Sequence, residues 1–132
     1  MAPARHMLLL TGAAEGLGAS ISETFAQAGH DVLGLSRTSR SSEHLKRRVE
    51  RGGGTYTHLA CDITRPAEVA AALEPYAGRI DVLIHNPHVL TIKPFEQTTA
   101  EEFEQAWRVA CLGAMLTAQM VLPHMVTRGK TI

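Results

Sequence analysis

The sequence carries no excess of charge, because 13 Lys and Arg balance 13 Asp and Glu. That balance leaves no electrostatic footprint for a nucleic-acid partner, which calls for a basic patch or stripe. Cysteine is scarce. The two thiols, Cys61 and Cys111, fit neither a zinc spacing nor a disulfide framework and read as small core residues in a reducing compartment. Within the first hundred residues no apolar run approaches the length of a membrane span. Residues 1–6 hold too few apolar side chains for a secretory leader. These absences predict a cytoplasmic protein that meets no membrane. No internal repeat, low-complexity tract or flexible linker interrupts the chain. Its 132 residues, 45% apolar and 20% charged, predict one domain over 1–132 with its own core, and are too apolar for disorder.

What is present is an alternation of short apolar runs with helical periodicity. Residues 6–10 suit a strand buried on both faces. A glycine-rich segment follows. Leu17, Ile21, Phe25 and Ala28 then recur as the apolar stripe of a helix stopped by Gly29. Residues 31–36 predict a second strand, and Ser42 caps a charged helix over 43–51 that closes at Gly52. Residues 55–61 predict a third strand, Pro66 opens a helix reaching Tyr76, and 80–84 predict a fourth strand. Thr99 and Glu102 have the spacing of a capping box. They head a long helix over 100–128, with Phe103, Trp107, Ala110, Ala114, Ala118 and Leu122 on one side and Pro123 kinking it or weakening its last turns. Residues 129–132 read as a turn and the first residues of a fifth strand. Four strands alternating with four helices predict an α/β fold. Its sheet is parallel, in the order 3-2-1-4, with right-handed crossovers placing helices on both faces.

The segment after the first strand carries the chemistry. In Thr11-Gly12-Ala13-Ala14-Glu15-Gly16-Leu17-Gly18, Gly12 permits the tight turn out of the strand. Gly16 lets backbone approach a pyrophosphate, and Gly18 lets the helix pack close to the sheet. The first N–H groups of that helix then suit phosphate oxygens. Thr11, Gly12, Ala14, Glu15, Gly16, Leu17 and Gly18 are therefore candidate coenzyme contacts. At the end of the second strand stand Ser36, Arg37 and Arg40. A carboxylate there would favour NAD, whereas two guanidinium forks suit a ribose 2′-phosphate and NADP. Glu15 argues the other way, and both arginines also fit an ordinary solvated loop. Asp62, followed by Ile63, is placed to accept from an adenine amino group, or else to cap the helix near Pro66. Asn86 and Pro87 follow the fourth strand at the edge where ligands bind in such sheets, or form an ordinary turn.

Taken together these stretches resemble the amino-terminal half of the short-chain dehydrogenase/reductase family. The resemblance rests on residues 11–18, on Cys61-Asp62-Ile63-Thr64, on residues 80–86 and on the helix through Trp107 and Gly113. It implies a Rossmann-type fold, NAD(P)(H) as coenzyme, hydride transfer to or from a carbonyl or alcohol, and oligomers built through the long helix. Three departures stand out. The family's Asn-Asn-Ala-Gly is His85-Asn86-Pro87-His88 here. Its Val-Asn-x-x-Gly has Ala110 in place of the Asn. Its catalytic Ser and Tyr-x-x-x-Lys follow a fifth strand, which this sequence only reaches, and the residues four beyond Tyr56 and Tyr76 are Ala60 and Ile80. No catalytic residue is carried over.

Two further groupings carry less. His85 and His88 lack a third ligand for a metal. Lys46, Arg47 and Arg48 read as a solvated helix face. A bare fourth-strand edge and an apolar helix face predict self-association, as a homodimer or tetramer. The leading expectation is an NADP-preferring nucleotide binder. The alternatives are an oxidoreductase with a non-standard or intersubunit site, and an interaction module that binds no nucleotide.

Overall fold

The computed structural model describes residues 3–130. Four parallel strands lie in the order β3-β2-β1-β4: β1 (His6–Thr11), β2 (His30–Ser36), β3 (Tyr56–Ala60) and β4 (Val82–His85). Between them run α1 (Leu17–Gln27), α2 (Ser42–Arg51) and α3 (Pro66–Leu73). A long helix follows β4, beginning as α4 (Ala100–Trp107), loosening into a π-turn (Arg108–Leu112) and continuing as α5 (Gly113–Thr127). The sheet order is the expected one. The predicted fifth-strand start lies partly outside the described residues.

β1 sits at the centre because it is apolar on both faces. Leu8 and Leu10 point to the α1 and α2 side, where Ala19, Ala26, Leu45 and Val49 bury against them. Leu9 points to the other side, into a core with Leu33, Leu35, Leu73, Ile80, Val121 and Met125. Thr11 pairs with Leu35 on one flank and His85 on the other, so three strands end together and leave one edge open above them.

Several local readings are corrected: Cys111, expected in the core, is exposed, and α3 ends at Leu73 short of Tyr76. The buried line of α1 is Gly18, Ala19, Ser22 and Ala26, and Leu17 is 65% exposed at the end of the expected stripe. Small side chains let α1 lie close to its neighbours: a Cβ on Gly52 would sit 2.8 Å from that of Ala26. The long helix behaves the same way. Gly113, Thr117, Val121 and Met125 are buried, while Phe103 and Trp107 on the expected side face outward. Pro123 lies within α5 without ending it. Ser42 is the first helical residue of α2, and Ser41 precedes it as the N-cap without a side-chain bond. The capping box of Thr99 and Glu102 forms as expected, with both reciprocal bonds present. The continuous helix Ala100–Thr127 is long and apolar enough to cross a membrane by length and composition alone. Here its buried line, Gly113, Thr117, Val121 and Met125, faces the core, with Val121 and Met125 in the cluster around Leu9.

Candidate functional site

The crevice opens where β1 and β4 leave the sheet. Gly12 turns the chain with φ +71°, and a Cβ there would lie 2.5 Å from the backbone nitrogen of Pro87. Its N–H and that of Ala13 both donate to the Leu35 carbonyl, at 2.9 and 3.1 Å. Gly16, at φ +79°, is the N-cap of α1 and has no side chain to offer the first N–H groups. No acidic residue stands in that first turn. A Cβ on Gly16 would meet nothing within 4 Å, so its glycine is required by conformation and not by space. Gly18 is buried, and a Cβ there would lie 3.2 Å from the Gly12 carbonyl.

These turns wall a cleft of about 340 Å³. Gly12, Ala14, Glu15, Leu17 and Gly18 form one side. Ser36 and Arg37 close it at the end of β2, Asp62 and Ile63 after β3, and Asn86 and Pro87 after β4. The other three candidates lie outside the lining. Thr11 is fully buried below it, Gly16 is exposed beside it, and Arg40 stands farther along the exposed loop after β2. Leu35, Cys61, His88, Val89, Gln105 and Val109 also line the cleft. Gln105 and Val109 come from the long helix, whose approach to the sheet no local pattern announces.

Several polar groups are already engaged. Asp62 accepts from the Thr64 N–H at 3.0 Å and the Thr64 hydroxyl at 2.7 Å. The Thr64 hydroxyl, with the Thr64 N–H and Arg65 and Arg37 in support, holds the Asp62 carboxyl below the usual range against the opposing effect of burial. Asp62 is thus ionised and built into the turn before α3, with Arg65 3.6 Å from its second oxygen. The Ser36 hydroxyl donates to the Thr38 carbonyl at 2.8 Å and meets Nε2 of His58 at the same distance. His58 therefore shapes the turn that carries Arg37, a role its place in a strand does not suggest. Asn86 donates from Nδ2 to the Gly12 carbonyl at 3.3 Å, and its N–H donates to the Thr11 carbonyl at 3.1 Å. The Cys61 thiol is pushed up to about 11 by burial, with Glu68 and Asp62 adding to it, so it remains protonated and unreactive at neutral pH.

Burial also raises Tyr56, to about 12. Its ring packs on the α1 and α2 face, over Gly34, away from the cleft lining. Among the described residues no cluster of three His, Cys, Asp or Glu is placed to hold a metal ion. What the cleft offers is backbone N–H groups, the Arg37 guanidinium, the amide side chains of Asn86 and Gln105, the carboxylates of Glu15 and Asp62, and apolar walls.

A parallel sheet with a glycine-rich turn after its central strand and a crevice at the carboxyl ends of its strands defines a Rossmann-type protein. Residues 6–132 match the family profile described as short chain dehydrogenase, and the chain belongs to that family. It is 29% identical over 124 residues to a D-threitol dehydrogenase of Mycolicibacterium smegmatis, covering 92% of this chain and 48% of that protein. A metagenomic short-chain oxidoreductase in complex with NADP superposes with a TM-score of 0.84 at 25% identity, over 95% of this chain and 58% of that one. An NAD+-bound xylitol dehydrogenase shares the fold, with a TM-score of 0.86 at 21% identity, over 95% of this chain and 50% of that one. The chain spans about half the length of the curated relatives it matches.

Proposed function

We propose that this chain is the NADP(H)-binding part of a short-chain-dehydrogenase-type oxidoreductase. One observation carries the reading: the glycine turn, the uncapped start of α1, Arg37 and Asn86 converge on a single cleft. The fit to a dinucleotide is physical. Gly12 leaves no room for a Cβ, Gly18 holds one only 3.2 Å from the Gly12 carbonyl, and the first N–H groups of α1 have no side-chain acceptor. A diphosphate supplies one. The end of β2 bears Ser36 and Arg37 and no carboxylate, which favours a 2′-phosphate over free ribose hydroxyls. Glu15, which also lines the cleft, weakens that preference without cancelling it, because a guanidinium can bind phosphate bidentately.

Within residues 1–132 the chain binds and orients coenzyme and carries no readable proton-transfer pair. A bound NADPH supplies hydride chemistry. Titration with NADPH and NADH, followed by nicotinamide fluorescence, tests the reading. Saturable binding with NADPH the tighter supports it, and flat calorimetry with both on folded protein refutes it.

The bare face of the long helix supports a second element of the proposal, self-association in the cytoplasm. Phe103 is 72% and Trp107 50% exposed, and the outer edge of β4 has no strand partner among the described residues. Such surfaces favour assembly. A stable monomer in sedimentation at micromolar concentration would count against it.

A further inference from the structure

We infer that His85 is a positioning residue, tying the strand that enters the phosphate turn to the π-turn of the long helix and so setting the wall that the second half of a bound dinucleotide meets. The inference rests on the nucleotide-binding reading above.

His85 ends β4 beside Thr11, its partner across the sheet. Nδ1 lies 2.9 Å from the Thr11 hydroxyl, and Nε2 lies 3.1 Å from the Val109 carbonyl. A carbonyl only accepts, so Nε2 carries the hydrogen. Burial holds the ring below its ordinary pKa, although the Val109 and Ala110 carbonyls favour the charged form. The ring is therefore neutral at pH 7, Nδ1 accepts, and the fully buried Thr11 hydroxyl donates to it. Both ring nitrogens are used. His85 spans from the central strand to the helix as one rigid strut.

The helix offers a carbonyl to grip because it is a π-turn there. The Gly113 N–H reaches back five residues to Arg108, which disturbs the regular ladder around Val109. Ala110, within the same turn, has no polar side chain to make the link from the helix side. Val109 in turn lines the cleft, together with Asn86 and Gln105. The next residue after His85 completes the connection, since Asn86 holds the Gly12 carbonyl. By topology the adenosine half of a dinucleotide lies over the ends of β2 and β3, and the other half over the end of β4. The strut stands under that second half.

The test separates the halves. His85→Asn keeps a short polar group beside Thr11 but is too short to reach Val109. It should weaken NADPH about tenfold, the effect of losing one buried hydrogen bond. Adenosine 2′,5′-bisphosphate, the adenine half alone, should bind within about twofold of the unaltered chain. The longer His85→Gln should recover part of the NADPH loss. Unchanged affinity for both ligands, or equal loss of both, overturns the inference. An unaltered chain that binds neither ligand refutes the nucleotide reading itself, and the strut with it. If His85→Asn does not fold, the His85 ring resonances of the unaltered chain decide. They should shift with NADPH and stay still with the bisphosphate, and equal shifts or none would overturn the assignment.

Discussion

Replacing Gly12 with alanine tests whether the glycine turn and the exit of β4 form one unit. At φ +71° an alanine is strained by about 1–2 kcal/mol before it touches anything. Its Cβ would then lie 2.5 Å from the Pro87 nitrogen and 2.7 Å from both the Asn86 carbonyl carbon and the Pro87 Cα. Those atoms are backbone, so no side chain can swing aside. They are also held, because the Asn86 N–H donates to Thr11 and its Nδ2 to Gly12 itself. Overpacking of this kind costs about 1–3 kcal/mol. The two effects together predict a loss of about 2–5 kcal/mol and a fall in Tm on the order of 10 °C for a domain of this size. Gly16→Ala is the control, since it meets nothing within 4 Å and should lose only the conformational part, about 1–2 kcal/mol. Urea unfolding measures both. If Gly12→Ala stays within about 0.5 kcal/mol of the parent, or Gly16→Ala loses as much, the close contact between turn and β4 exit is wrong.

Arg37→Ala should weaken NADPH by about tenfold or more and NADH little, and equal loss in parallel fluorescence titrations would undo the phosphate assignment. Asp81 should give the fold a pH dependence. Burial raises its carboxyl, but the Met7 N–H, Lys130 and Arg128 outweigh burial and leave it below the usual range. Its contribution is therefore complete above about pH 4, the ordinary Asp value, and is lost as pH falls through the lower folded value. Asp81→Asn should lose about 1–3 kcal/mol at pH 7, with urea midpoints converging on the parent's in acid. A gap that does not narrow as the pH falls would remove Asp81 from the acid response. Arg5 donates to Asp31 at 3.0 Å and to the Ala26 and His30 carbonyls at 2.8 Å, fastening the end of α1 to β2 far from the cleft. Arg5→Ala should cost about 1–2 kcal/mol in urea melts and leave NADPH affinity unchanged. A change in affinity would mean the two ends of the sheet are coupled.

Strand order and the position of the glycine turn were legible because both rest on local signals. A doubly buried parallel strand is a continuous apolar run, as in Leu8, Leu9 and Leu10. A turn with positive φ calls for glycine, as at Gly12 and Gly16. The ends of β2, β3 and β4 then had to meet at one edge, which brought Arg37, Asp62 and Asn86 within reach of a single cleft. The far wall was not legible. Gln105 and Val109 belong to a helix whose approach depends on Gly113, where a Cβ would lie 2.6 Å from Cδ1 of Ile63. Nor did the sequence disclose that His85 and His58 each use a ring nitrogen on a neighbouring strand's hydroxyl, since those bonds span 74 and 22 residues.

The two misplaced helix stripes have one cause. A search for large apolar residues at helical spacing finds the surface with the most area to bury, whereas a helix lying tight on a sheet needs a surface with little side chain. In α1 the tight surface is Gly18, Ala19, Ser22 and Ala26, and in α5 it begins with Gly113 and Thr117. The polar members survive there because each serves its own helix: Ser22 donates to the Gly18 carbonyl at 2.8 Å and Thr117 to that of Gly113 at 2.9 Å. Their buried hydroxyls therefore need no outside partner. Large apolar residues displaced from the tight surface end up beside it or outside. In α1 that leaves Ile21 and Phe25 half-buried against the core. In the long helix it leaves Phe103, Trp107, Met115 and Val126 largely in water. The same close packing that places Val109 in the cleft wall thus creates the exposed face on which the proposed self-association depends.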